Sequence, residues 1–84
     1  MSKKEKLIKR FMSIPKDFTW DEAKSMLISL GYNLRNKGKT SGSRVIFMSD
    51  GRKPLLLHKP HPGNIMKEYT LRQLLHDLKE EGLI

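Results

Sequence analysis

The sequence predicts a small α+β domain in which a three-stranded antiparallel sheet carries two helices on one face, in the order α-β-β-β-α, preceded by one further helix. Three observations lead there. Apolar residues recur at helical spacing in two stretches, Trp20 to Leu30 and Leu71 to Leu78, each opened by a threonine. Between them lie short apolar runs of strand length. Two of these runs flank Asp50-Gly51, a dipeptide that favours a hairpin because both residues tolerate positive φ.

The first sixteen residues form a unit of their own in the sequence. Leu7, Ile8, Phe11 and Met12 fall on one helical face, with Lys3, Lys4, Lys6, Lys9 and Arg10 elsewhere. This reads as a short basic amphipathic helix whose apolar face docks on the main domain, residues 17–84. One and a half turns of apolar face give little support to membrane-surface binding. Pro15 closes the helix, since the residue before a proline is pushed out of the α region.

Thr19 opens the next helix, and Glu22 three residues on completes a capping box. Trp20, Ala23, Leu27 and Leu30 make its buried face, and Gly31 stops it. Tyr32 to Lys37 alternates apolar and polar, so Tyr32 and Leu34 are expected to face inward, with Asn33, Arg35 and Lys37 outward. Val45 to Met48 and Leu55 to Leu57 are the hairpin strands. The connection from Ser49 to Pro54 exceeds two residues, which favours a bulged hairpin over a tight one. Thr70 with Gln73 reads as a second capping box. Leu71, Leu74, Leu75 and Leu78 form the stripe of the last helix, and Gly82 ends it. Both stripes can then cover one face of the sheet and leave the other open. This two-layer arrangement is also the layout of the double-stranded-RNA-binding domain.

Charge points to a partner. The chain of 84 residues carries a net charge of +8, and its pI is near 10.0. The excess is concentrated. Arg35, Lys37, Lys39, Arg44, Arg52, Lys53 and Lys59 crowd the hairpin and its approach, against one carboxylate, Asp50. Such a distribution suits a polyanion, nucleic acid above all. The absence of cysteine rules out disulfides and thiolate metal sites and fits a reducing compartment. No apolar run has the length of a signal peptide or a membrane span, so a cytoplasmic location without membrane contact is expected.

Candidate chemistry narrows quickly. His58 and His61 lie three apart, but a zinc site needs a third ligand and the nearest carboxylate, Asp50, is a turn former. Ser41 and Ser43 sit in a glycine-rich loop with no recognisable Asp–His pair. Cleavage of RNA without metal or cofactor needs less: an imidazole to take the 2′-hydroxyl proton and cations to stabilise the phosphate. His58, His61, Arg44 and Lys59 supply those groups. The plainer alternative is that they are solvated residues of a basic loop.

Several pieces together resemble the HicA toxin family. They are Gly42-Ser43-Arg44-Val45-Ile46-Phe47, the Asp50-Gly51 turn, His61-Pro62-Gly63 and Thr70-Leu71-Arg72, preceded by Leu30-Gly31-Tyr32 and Lys37-Gly38. No one motif is specific, but their order and spacing are, and they span Trp20 to Ile84. The resemblance implies a double-stranded-RNA-binding-domain-like fold, cleavage of mRNA without metal, and inhibition by a HicB-like antitoxin. The family's catalytic histidine occupies the third position of the glycine-serine motif, where this chain has Arg44. Arginine is not deprotonated in proteins and cannot be a general base. Two readings stay open: an endoribonuclease with another imidazole as base, or a non-catalytic RNA-binding module. A third is a protein-interaction domain whose basic face meets an acidic partner. On the first reading His61, His58 and Arg44 are the catalytic set. His61 is preferred because the Pro60–Pro62 loop can turn it toward a phosphate held by Arg44. Arg35, Lys37, Lys39, Ser43, Arg44, Arg52, Lys53 and Lys59 form the expected RNA-binding set.

Overall fold

The computed structural model describes residues 3–35, 44–60 and 63–84. Over them the order is α1 (Lys3–Met12), α2 (Trp20–Ser29), β1 (Asn33–Arg35), β2 (Arg44–Met48), β3 (Leu55–His58) and α3 (Glu68–Glu80). The strands form one antiparallel sheet in the order β1-β2-β3. This is the α+β architecture expected, a three-stranded meander with three helices. None of these helices is long and apolar enough to cross a membrane.

The first helix packs against α2 and α3. Phe11 is fully buried, and Leu7 and Ile8 are half-buried against the same core. Met12, read as part of that face, is the last residue of the helix and is exposed. A polar clamp reinforces the packing. Arg10 Nε donates to Glu22 Oε2 at 2.9 Å, and its Nη2 lies 3.1 Å from Asp17 Oδ1. The guanidinium also stands over the Phe18 ring, itself 5.7 Å from that of Phe11. Glu22 is at once the clamp's acid and the capping-box residue. Its Oε1 accepts from the Thr19 backbone N–H while its own N–H donates to Thr19 Oγ1. The Arg10 hydrogen bond holds the Glu22 carboxyl below the usual carboxylate range. After α1 the chain turns through Ile14, whose φ is +50°. This conformation is uncommon for a β-branched residue.

Register assigns the faces. Cross-strand partners share a face, and successive residues alternate. Phe47 pairs with both Leu34 and Leu55, and Val45 pairs with Leu57. This is the core face: Phe47, Leu55 and Leu57 are buried, and the Trp20 ring packs against that of Phe47, tilted by 56° with centroids 5.9 Å apart. Leu34 belongs to it by register but, lying on an edge strand, stays 39% exposed rather than buried as expected. The opposite face carries Asn33 with Met48, Arg35 with Ile46 and Leu56, and Arg44 with His58.

The last helix starts earlier than its sequence suggests. Residues 64–66 pair with 18–20: Trp20 N–H donates to Asn64 O at 2.8 Å, and Met66 N–H to Phe18 O at 2.7 Å. A lone bridge joins Thr19 and Ile65. The chain leaves this pairing extended at Lys67 (φ −75°, ψ 149°) and is helical from Glu68. Thr70 therefore lies inside the first turn and caps nothing, and Gln73 donates to Asp77 instead. Leu71, Leu74 and Leu78 are buried, Leu75 half-buried.

Candidate functional site

The hairpin's geometry brings two of the predicted residues together. Arg44 and His58 are direct cross-strand partners at the open end of β2 and β3, and both are exposed. Directly opposed residues hold their Cβ atoms about 4.5–5.5 Å apart, so one phosphate lies within reach of both side chains. Arg35 lies on the same face, in the row of Ile46 and Leu56. The turn at the far end explains the register. Arg52 N–H donates to Ser49 O at 3.1 Å, and Gly51 supplies the positive φ, +75°.

A cleft of about 300 Å³ opens beside His58. Its walls are His58, Lys59 and Pro60 at the end of β3, and Met66, Lys67, Tyr69 and Thr70 at the start of α3. Met66 forms the buried floor, whereas Lys59, Lys67 and Tyr69 are exposed. The position of this second wall follows from the pairing of residues 64–66 with 18–20, which fixes where α3 begins. The cleft thus combines an imidazole, two ammonium groups and an aromatic ring 69% exposed. Chemically it can hold a phosphate by charge, offer a ring to a planar base, and present an imidazole to a hydroxyl.

The remaining predicted residues fall elsewhere. Arg52 and Lys53 sit in the β2–β3 connection, at the opposite end of β3 from His58. Arg52 Nη1 donates to Glu81 O at 3.1 Å, and Lys53 N–H to Glu81 Oε1 at 3.0 Å. They tie the hairpin to the end of α3. Lys37, Lys39, Ser43 and His61 lie outside the described residues. Lys67 and Tyr69 were not singled out by the sequence, and Thr70 was singled out only as a helix cap and as part of the Thr70-Leu71-Arg72 motif. Lys67 directly precedes a helix, and nothing local marks it as facing His58. Among the described residues no three His, Cys, Asp or Glu side chains are grouped to hold a metal ion.

The sequence model of one family, the HicA toxin of bacterial toxin–antitoxin pairs, matches residues 20–80. No curated protein and no solved structure matches the chain.

Proposed function

The chain belongs to the HicA toxin family, the toxin component of bacterial toxin–antitoxin pairs, and from that premise we propose that it is an endoribonuclease that cuts mRNA without a metal. The observation that carries this reading is the cross-strand pairing of Arg44 with His58, the latter also lining the cleft of Lys59, Lys67 and Tyr69. The His58 imidazole takes the proton of a 2′-hydroxyl. The 2′-oxygen attacks the adjacent phosphorus, and the bond to the 5′-oxygen breaks as that oxygen gains a proton. Arg44 donates two parallel hydrogen bonds to the non-bridging oxygens, which gain charge in the transition state. It takes over electrostatic stabilisation at the position where the family carries its histidine. Lys59 and Lys67 hold a neighbouring phosphate, and the Tyr69 ring stacks a base. His61, three residues beyond His58, is the second imidazole to test.

A HicB-like antitoxin fits the open sheet face. Ile46, Met48 and Leu56 form an apolar strip there, with Met48 and Leu56 exposed, and Arg35 and Arg44 beside it. An acidic partner covering this strip would mask the catalytic pair. A non-catalytic RNA-binding module is the second reading, and the arginine at position 44 favours it.

A digest of RNA with the purified protein separates the two. Cleavage should survive EDTA and leave 2′,3′-cyclic phosphate and 5′-hydroxyl ends. His58→Ala should lower the rate by roughly 10²–10⁴-fold, the contribution typical of a general base. Undiminished cleavage by a His58→Ala, His61→Ala double variant would exclude the mechanism. No cleavage by the wild type, with RNA still bound, would leave the binding module.

A further inference from the structure

We infer that the cleft beside His58 continues into a second single-strand RNA subsite, built by the segment that follows α1, so that the bound strand runs from His58 over Lys67 to Lys16. The inference rests on RNA being the ligand of the first cleft.

Two depressions meet at the start of α3. The second, of about 400 Å³, is walled on one side by Ile14, Pro15 and Lys16 and on the other by Ile65 to Glu68. Met66 and Lys67 line both. The ridge between them is therefore one exposed lysine over one buried methionine, and a strand leaving the first cleft across Lys67 enters the second. The ridge is firmly held, because the backbone bonds at Trp20 and Met66 anchor residues 64–66 on both flanks. The outer wall is set by the turn at Ile14. Its positive φ, in a β-branched residue that precedes a proline, is a costly conformation. It is retained where it lays Pro15 and Lys16 alongside residues 65–68.

Charge identifies the occupant. Lys16 and Lys67 are exposed. The two nearest acids in sequence are each engaged by an arginine: Asp17 Oδ1 lies 3.1 Å from Arg10 Nη2, and Glu68 Oε2 2.9 Å from Arg72 Nε. The depression is thus left with net positive character, and Ile65, 47% exposed, and Pro15 give it an apolar surface on which a base can lie. A bilayer does not fit this segment, because the apolar face of α1 is already spent on the core through Phe11. Lys16 lies outside residues 20–80, the part that matches the family, whereas the facing wall, Ile65 to Glu68, lies within it.

The test is the dependence of affinity on strand length. Uncleavable 2′-O-methyl oligoribonucleotides, a dinucleotide and a decanucleotide, are titrated against the wild-type protein and Lys16→Ala across a range of salt. The wild type should bind the decanucleotide more tightly. Lys16→Ala should leave the dinucleotide unchanged, weaken the decanucleotide by roughly 3–10-fold, and lower its salt slope by about 0.7–1, the loss of one phosphate contact. Lys16→Arg should restore both. Equal affinity of wild type and Lys16→Ala for the decanucleotide overturns the extended track. A wild type that binds neither oligomer overturns the reading of RNA as ligand itself.

Discussion

The two faces of the sheet are made from the same strands, residue by residue in alternation, and they do opposite work. On β3, Leu55 and Leu57 are buried while Leu56 between them is 54% exposed. On β2, Phe47 is fully buried and Met48 beside it is exposed. The core face meets aromatic and leucine side chains from the helices. The other face holds Arg35, Arg44 and His58, all exposed. On the proposed function, stability and recognition fall on alternate positions of one strand. A one-residue change of register would exchange them, which is why the connection at Ser49–Pro54 matters more than its exposed position suggests.

Adjacent leucines give the most direct way to break this comparison. Leu57→Ala removes a well-packed core side chain and should cost roughly 2–5 kcal/mol. In a domain with total stability of about 5 kcal/mol or little more, that leaves a large unfolded fraction. Leu56→Ala, one residue away, should change stability by less than about 0.5 kcal/mol. Urea unfolding of the two variants decides it, and similar costs would mean that the open face is covered by something other than water.

The clamp between α1 and α2 sharpens the same contrast at smaller scale. The Glu22 carboxyl is held low by Arg10, so its folded-state pKa lies below the unfolded value. The stability it contributes is present above the ordinary carboxylate range and is lost as pH falls through the depressed folded value. Arg10→Ala removes the largest part of that dependence and leaves the smaller part due to the Thr19 hydrogen bonds. Both partners are partly exposed, so the loss near neutral pH should be small. Thermal unfolding followed from neutral to acid pH should show the wild type converging on Arg10→Ala. Parallel curves would dissociate the clamp from acid stability.

How far the sequence disclosed this arrangement depends on whether the signal was local. The Thr19–Glu22 capping box and the stop at Gly31 are contained within their own helix, and both were legible. The faces of β2 and β3 depended on the length of the connection. A two-residue turn at Asp50-Gly51 would have paired Arg44 with Leu57, whereas the longer loop expected from Ser49 to Pro54 pairs it with His58. The start of α3 was misplaced because tertiary pairing of residues 64–66 with 18–20, not the threonine, decides it. For the same reason Lys67 and Tyr69 escaped notice: they reach His58 only once that pairing is made. Leu34 was read as buried because alternation gives the face of a strand residue but not whether a helix reaches its edge.

The smallest expected effect on stability carries the most functional weight. Arg44 is exposed, sits on the open face, and appears in none of the ion pairs among the described residues. Arg44→Ala should therefore shift the unfolding free energy by no more than about 0.5 kcal/mol, as for other surface positions. If it holds the phosphate beside His58, the same variant should lose RNA affinity and lower the salt slope by about one contact. Arg44→Lys keeps the charge but not the two parallel hydrogen bonds. It should recover the salt slope without recovering the cleavage rate, because bidentate geometry acts on the transition state while charge alone binds the ground state. Arg44→His restores the imidazole of the family motif opposite His58, and a gain in cleavage is the expected outcome. Unfolding curves, binding isotherms and cleavage rates on these three variants separate the roles. If Arg44→Ala loses stability and activity together, the residue belongs to the framework and the division between the two faces fails at this position.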